Sequence, residues 1–203
     1  MKHILSLLLL SLPFLSKGQE AEKKFQLGFT LSPNIGWLKF ADSNSSFSSD
    51  GVRAGISYGV LADLGFAKNY YFSTGFTLTT INGIIASTIK TGPEEKVKVN
   101  YIEVPLTLKL KSTSAEQHRF YGQFGLGLGV NITPRREFAE EAIQTDAQTF
   151  RLGLITGGGA EWTISRNLNL LTGVTWNNGF TEVFGKSYNS RNSYLALNLG
   201  LYF

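Results

Sequence analysis

The chain has no cysteine in its 203 residues. That excludes a disulfide framework, a thiolate metal site and a lipid anchor on a cysteine behind a leader. Histidine is scarce, with two in all. His3 falls in the N-terminal apolar segment and His118 beside a short polar turn, so a Ser-His or Asp-His hydrolytic site at an outer rim has no histidine to draw on. An excess of one charge is also missing. Lys and Arg number 19 against 15 Asp and Glu, and setting aside Lys2 and Lys17 leaves 17 against 15. Such a balance, with no basic stripe interleaved with aromatics, argues against nucleic acid as a partner. Beyond the first residues no apolar run approaches the ~20 residues of a membrane helix. A further encounter with a membrane would therefore need a closed barrel of strands.

The one apolar run is N-terminal, "MKHILSLLLLSLPFLSKGQ". Lys2 provides the positive start, Ile4 to Leu15 the apolar stretch, and Ser16 and Gly18 the small residues before a cut. The expectation is a secretory signal peptide over 1–18, leaving 19–203 as a single exported domain. The rest is rich in glycine (22), aromatics (13%), threonine and serine, a composition of strands and turns.

Eight segments alternate with a period of two: 25–38, 52–66, 70–82, 97–110, 119–133, 149–164, 168–179 and 191–203. Their connections alternate as well. Long ones fall at 39–51, 83–96, 134–148 and 180–190, short ones at 67–69, 111–118 and 165–167. The fold class this implies is all-β: an eight-stranded antiparallel up-and-down transmembrane β-barrel with a filled polar lumen. Both termini and the short turns would be periplasmic, the long loops outside. An even strand number closes the sheet without a bare edge.

Whether the apolar face is the inside of a soluble, lipocalin-like barrel or the outside of a membrane barrel can be judged from the other face. In 119–133, Phe120, Phe124, Leu126, Leu128, Val130 and Ile132 share one phase, and Tyr121, Gln123, Gly125, Gly127, Gly129 and Asn131 the other. Bulk water would favour Lys, Glu and Thr over three successive glycines. A narrow lumen needs the glycines, to make room for large neighbours. The mid-strand charges Arg53, Asp63, Glu103, Lys109, Arg151 and Glu161 all oppose the apolar series of their strands. Segregation of this kind is required if the apolar face meets lipid, where a mid-bilayer Arg or Lys costs ~2–4 kcal/mol. These six are expected to form a structural polar network in the lumen, pairing because an unpaired buried charge is costly. The end of the chain, "SYLALNLGLYF", repeats the pattern. Nine residues at ~3.3 Å each, tilted ~40°, rise roughly 23 Å, close to the apolar band of such barrels. Trp37, Tyr70, Tyr71, Phe72, Trp162, Trp176, Phe180 and Phe203 gather near strand ends, where rings prefer the headgroup level.

Two glycine clusters, "GLGLGV" and "TGGGAEW", have the look of phosphate loops, but neither opens a helix or leads to Gly-Lys-Ser/Thr. No nucleotide, cofactor or metal is expected, and no catalytic residue. The charged loop "PRREFAEEAIQTDAQ" and the loop "SNSSFSSD", with Phe47, are surface candidates for contacts.

At "YIEVPLTLKLK", a tyrosine followed by Val-Pro and alternating apolar residues, the chain resembles the PorT-like outer-membrane β-barrel family. The opening "FQLGFTLSPNIG", the strand "FYGQFGLGLGVNI" and the ending "LNLGLYF" are similar to it too. The resemblance implies an eight-stranded barrel in the outer membrane of a diderm bacterium, held in lipid and placed by the barrel-assembly machinery. The family's founding member is associated with protein secretion. The function this suggests is a non-enzymatic barrel acting through its loops, as an accessory of secretion or envelope assembly with a protein partner there. A small-molecule channel or ligand-binding barrel is the alternative, and it needs a hollow lumen.

Overall fold

A computed structural model describes residues 25–40, 47–49, 51–87, 95–113, 117–133, 148–183 and 190–203. Among the described residues there are nine strands and no helix. They are β1 (Phe25–Phe40), β2 (Phe47–Ser49), β3 (Arg53–Ala67), β4 (Tyr70–Ser87), β5 (Glu95–Lys111), β6 (His118–Asn131), β7 (Phe150–Ser165), β8 (Leu168–Gly179) and β9 (Ser190–Tyr202). All but β2 pair antiparallel with their chain neighbours. β9 returns to β1, and β4 pairs with β5, so eight strands form a closed barrel. The 1–24 segment and most of the long loops lie outside the described residues, and with them the expected signal peptide and the loop "PRREFAEEAIQTDAQ".

The register sets the tilt. Gln26 pairs with Asp63, and following the pairing through Ser73, Thr107, Gly125, Ile155, Asn177 and Tyr194 returns to β1 at Gly36, ten residues further along. With ~3.3 Å per residue and ~4.8 Å between strands, that offset over eight strands inclines them by roughly 40°.

Alternation then sorts the side chains. Phe25, Leu27, Phe29, Leu31 and Ile35 of β1 are exposed on the outer wall, while Gln26, Thr30, Ser32 and Asn34 are buried in the lumen. On β9, Leu195, Leu197, Leu199 and Leu201 face out, and Tyr194, Ala196 and Tyr202 face in. The oily phase is the outside of the barrel, as the glycine-rich opposite phase requires. Tyr71 departs from the expected aromatic girdle: it shares the inward phase of β4 and is buried, whereas Tyr70 and Phe72 on either side are exposed.

Several boundaries differ from the reading of the sequence. Ile84 and Ile85 continue β4 beyond Asn82, and the β4–β5 ladder reaches Ile85 with Glu95. The reason is local: Asn82-Gly83 is followed by more β-branched residues, and the next breaker is Gly92-Pro93. β2 adds to the same extension through Phe47–Ser87 and Ser49–Ile85 pairs. At the other end β5 runs through Lys111, which the sequence had placed in the turn. The β3–β4 turn is tighter, Lys68-Asn69, with Asn69 at φ 67°, a left-handed position that asparagine tolerates.

Candidate functional site

The lumen contains two charged layers with a chamber between them. The layer nearer the short turns is centred on Asp63. Its Oδ1 accepts hydrogen bonds from Ser73 Oγ at 2.6 Å and Lys109 Nζ at 2.9 Å, and its Oδ2 lies 2.8 Å from Lys109 Nζ and 3.0 Å from Lys111 Nζ. Lys111 also reaches Glu161 Oε1 at 2.6 Å and donates to Gln26 Oε1 at 2.6 Å. Arg119 Nε holds the second Glu161 oxygen at 2.8 Å. Three cations thus share two carboxylates. The surplus positive charge meets ring faces: Lys111 Nζ lies 4.2 Å from the Tyr71 centroid, and Lys109 Nζ 5.1 Å from that of Tyr202. Tyr71, on the inward phase of β4, supplies one of these faces.

The layer nearer the long loops is centred on Arg151. Its Nη1 donates to Glu103 Oε1 at 2.7 Å, its Nε to Asn192 Oδ1 at 2.7 Å and its Nη2 to Asn177 Oδ1 at 2.8 Å. Tyr194 Oη donates to Glu103 Oε2 at 2.8 Å and accepts from Asn177 Nδ2 at 3.0 Å, while Asn192 Nδ2 donates to Tyr101 Oη at 3.1 Å. Each charge of these two layers is met by an opposite charge or a neutral dipole, as the low dielectric demands.

Glycines make these layers possible. A Cβ on Gly129 would lie 3.1 Å from Arg151 Cβ and 3.4 Å from Glu103 Cγ. On Gly173 it would lie within 2.3 Å of Tyr121 Oη. The strand that looked like a phosphate loop leaves volume for the ions beside it.

Of the six charges read from the sequence, the structure brings Asp63, Lys109 and Glu161 into one layer and Glu103 and Arg151 into the other. Arg53 joins neither. It sits at the start of β3, half-buried, its Nε buried without a partner. The sequence reading missed Lys111, Gln26 and the amide and phenol ligands Tyr101, Asn177, Asn192 and Tyr194. Parity could have found Lys111, since it continues the Glu103 to Lys109 phase. Arg119, near the start of β6, is level with Glu161 and pairs with it.

Between the layers is a chamber of about 90 Å³, lined by hydroxyls and amides such as Ser57, Thr79, Gln123 and Asn198 with a few apolar residues, among them Leu61, Pro105 and Ile155. Glu103 alone brings a charge to its wall, and both its oxygens are engaged. Asn198 Nδ2 donates to Thr175 Oγ1 across one side. His118 lies at the short-turn rim against Phe120 and Trp162, each ring centroid 5.6 Å away. No cluster of three or more metal-ligating side chains occurs among the described residues.

The outer membrane protein beta-barrel domain family matches residues 17–185. No curated protein matches the chain. Among solved structures, neisserial surface protein A (NspA) is similar over 90% of this chain and 99% of its own, at 15% identity and a TM-score of 0.55. The outer membrane protein OprG from Pseudomonas aeruginosa is similar over 88% and 95%, at 12% identity and a TM-score of 0.54. At such identities the likeness is one of fold, and it is the closed eight-stranded fold described above. With an oily outer wall, a polar lumen and a family match spanning most of its length, the chain belongs to the outer membrane protein beta-barrel domain family and is an eight-stranded barrel of the outer membrane.

Proposed function

We propose that this protein is a non-enzymatic scaffold of the outer membrane, closed to passage along its axis, that works through its rims as an accessory of secretion or envelope assembly. The observation that carries the reading is the pair of ion layers across the lumen: Lys109 and Lys111 with Asp63 and Glu161 below, and Arg151 with Glu103 above. What remains for recognition is the rim, and the β2–β4–β5 extension rises there as hydrogen-bonded backbone rather than loose loop. The resemblance to the PorT-like family supports the secretion assignment. In this reading residues 1–18 are removed on export, residues 19–203 form the mature barrel, the barrel-assembly machinery inserts it, and both termini are periplasmic.

The test is capture of the tagged protein from detergent-solubilised envelopes, beside a variant in which 83–96 is replaced by an Asn-Gly turn. A secretion or envelope-assembly protein that copurifies with the full barrel and is lost from the shortened one supports the proposal. A barrel that captures no such partner, with export across the envelope unchanged in its absence, overturns it.

A further inference from the structure

Two prolines interrupt the barrel's hydrogen-bond ladder at the depth of the central chamber. Strand geometry states which neighbour each one fails. Lys111 N donates to Asn69 O, towards β4, so with a period of two the backbone N of Pro105 points towards β4 as well. It has no hydrogen to give. The β4–β5 ladder stops at Ser73–Thr107 and resumes only at Thr77–Glu103. Likewise Phe203 N donates to Leu27 O, so Pro33 N points towards β9, and the β1–β9 ladder skips from Leu31–Leu199 to Asn34–Ala196.

The two breaks are not equivalent. Beside Pro33, Ser32 Oγ donates to Asn198 Oδ1 at 3.1 Å and Thr30 Oγ1 to Leu199 O at 3.2 Å, so side chains stitch the gap. Beside Pro105 the bridging contacts are long, Thr77 Oγ1 to Glu103 O and Thr107 Oγ1 to Ser73 O, both 3.4 Å. Opposite Pro105 lies Gly75, at φ +156° and without a side chain to fill the space. The outward neighbours are Thr74, a short polar residue, and Phe76, 65% exposed to the lipid side. On the inner side Ser73, Thr77, Pro105 and Thr107 all line the chamber. Within it Thr79 Oγ1 is buried and has no hydrogen-bond partner, an unfilled polar position aimed into the space.

We propose that the chamber is a binding site for small uncharged molecules bearing a hydrogen-bonding group, and that they enter sideways from the bilayer through the β4–β5 seam at Pro105. The wall selects this class. Its hydroxyls and amides bond neutral polar groups, and the charged layers above and below, each ion-paired within itself, close the axial routes. A closed barrel has no edge except where its ladder fails, and here the failure opens onto hydrocarbon. The inference is independent of the rim function proposed above.

The absence of cysteine makes the test direct. Thr79→Cys is introduced into the full mature barrel, which is reconstituted in phosphatidylcholine vesicles. Labelling rates are measured with neutral methyl methanethiosulfonate and with the permanently anionic sulfonatoethyl reagent, the latter supplied on both sides. The expected result is labelling by the neutral reagent alone. Pro105→Val restores the ladder donor and should slow that labelling about fivefold, the factor one recovered backbone hydrogen bond represents. Thr74→Trp lays an indole over the seam and should slow it as well, deciding the matter should the Pro105 variant not fold. Pro33→Val should leave the rate unchanged. Labelling by the anionic reagent at a comparable rate would place the entrance at a rim and overturn the proposal. So would no labelling of the folded barrel by either reagent, or a rate indifferent to both seam variants.

Discussion

Glu103 and Arg151 stand two strands apart, on β5 and β7, yet their side chains meet at 2.7 Å. The residue between them in the row is Gly129, paired with Glu103 on one side and Arg151 on the other. An empty position on β6 is what lets the ion pair form across it.

Removing one member of that pair should therefore be far worse than removing both. Glu103→Ala strands a buried guanidinium and is expected to cost about 3–5 kcal/mol. Glu103→Leu with Arg151→Met, similar in volume and without charge, should recover most of the loss. Urea unfolding in lipid vesicles measures both, and equal losses for the single and double variants would contradict the pairing.

Filling the empty position should act on the same pair from the side. Gly129→Val places branched carbons against Arg151 Cβ and Glu103 Cγ, and overpacking of this kind costs about 1–3 kcal/mol. Gly122, on the outer wall with nothing within 4 Å of an added Cβ, is the control, and its valine variant should be as stable as the parent or more so. Thermal unfolding in detergent distinguishes them.

How much of this was legible beforehand follows from what carries each feature. The side a residue faces is written in parity, so the outward Leu126 and the inward Glu103 could be assigned from the chain alone. Strand ends were less secure where no turn residue marks them, as at Ile84–Ile85 and Lys111. The pairings were not legible at all. Glu103 meets Arg151 because of a shear of ten that emerges only when β9 closes on β1. The seam partners of Pro105 depend on the same register. Tyr71 was misplaced because an aromatic near a strand end fits a lipid girdle and a cation–π contact equally well by sequence, and only the position of Lys111 separates them.

The outer wall should report depth. Leu126→Arg, near the middle of β6 and exposed on the apolar side, is expected to destabilise the barrel in lipid by about 2–4 kcal/mol, and Ile132→Arg, just past the end of the strand, by about 0–1 kcal/mol. Equilibrium refolding into vesicles checks the contrast, and similar costs at the two sites would mean that Leu126 does not sit in hydrocarbon.

Ion passage should require breaching both layers. The unmodified barrel in a planar bilayer is expected to pass no steady current, as is Arg151→Ala alone, since Lys109 and Lys111 still fill the lumen on the short-turn side. Combining Arg151→Ala with Lys109→Ala and Lys111→Ala should produce discrete openings. Current through the unmodified barrel would show that the layers are permeable.

The bond from Thr30 Oγ1 to Leu199 O joins residues 169 apart in sequence, and it belongs to the seam where β9 meets β1. Every ladder other than β1–β9 can form as one hairpin after another emerges. This one waits for the whole polypeptide, and until then β1 presents a row of unsatisfied amides beside a sheet already oily on its outer surface. The first strand made is thus the one whose edge stays bare longest, and the wall is continuous only when the last strand covers it.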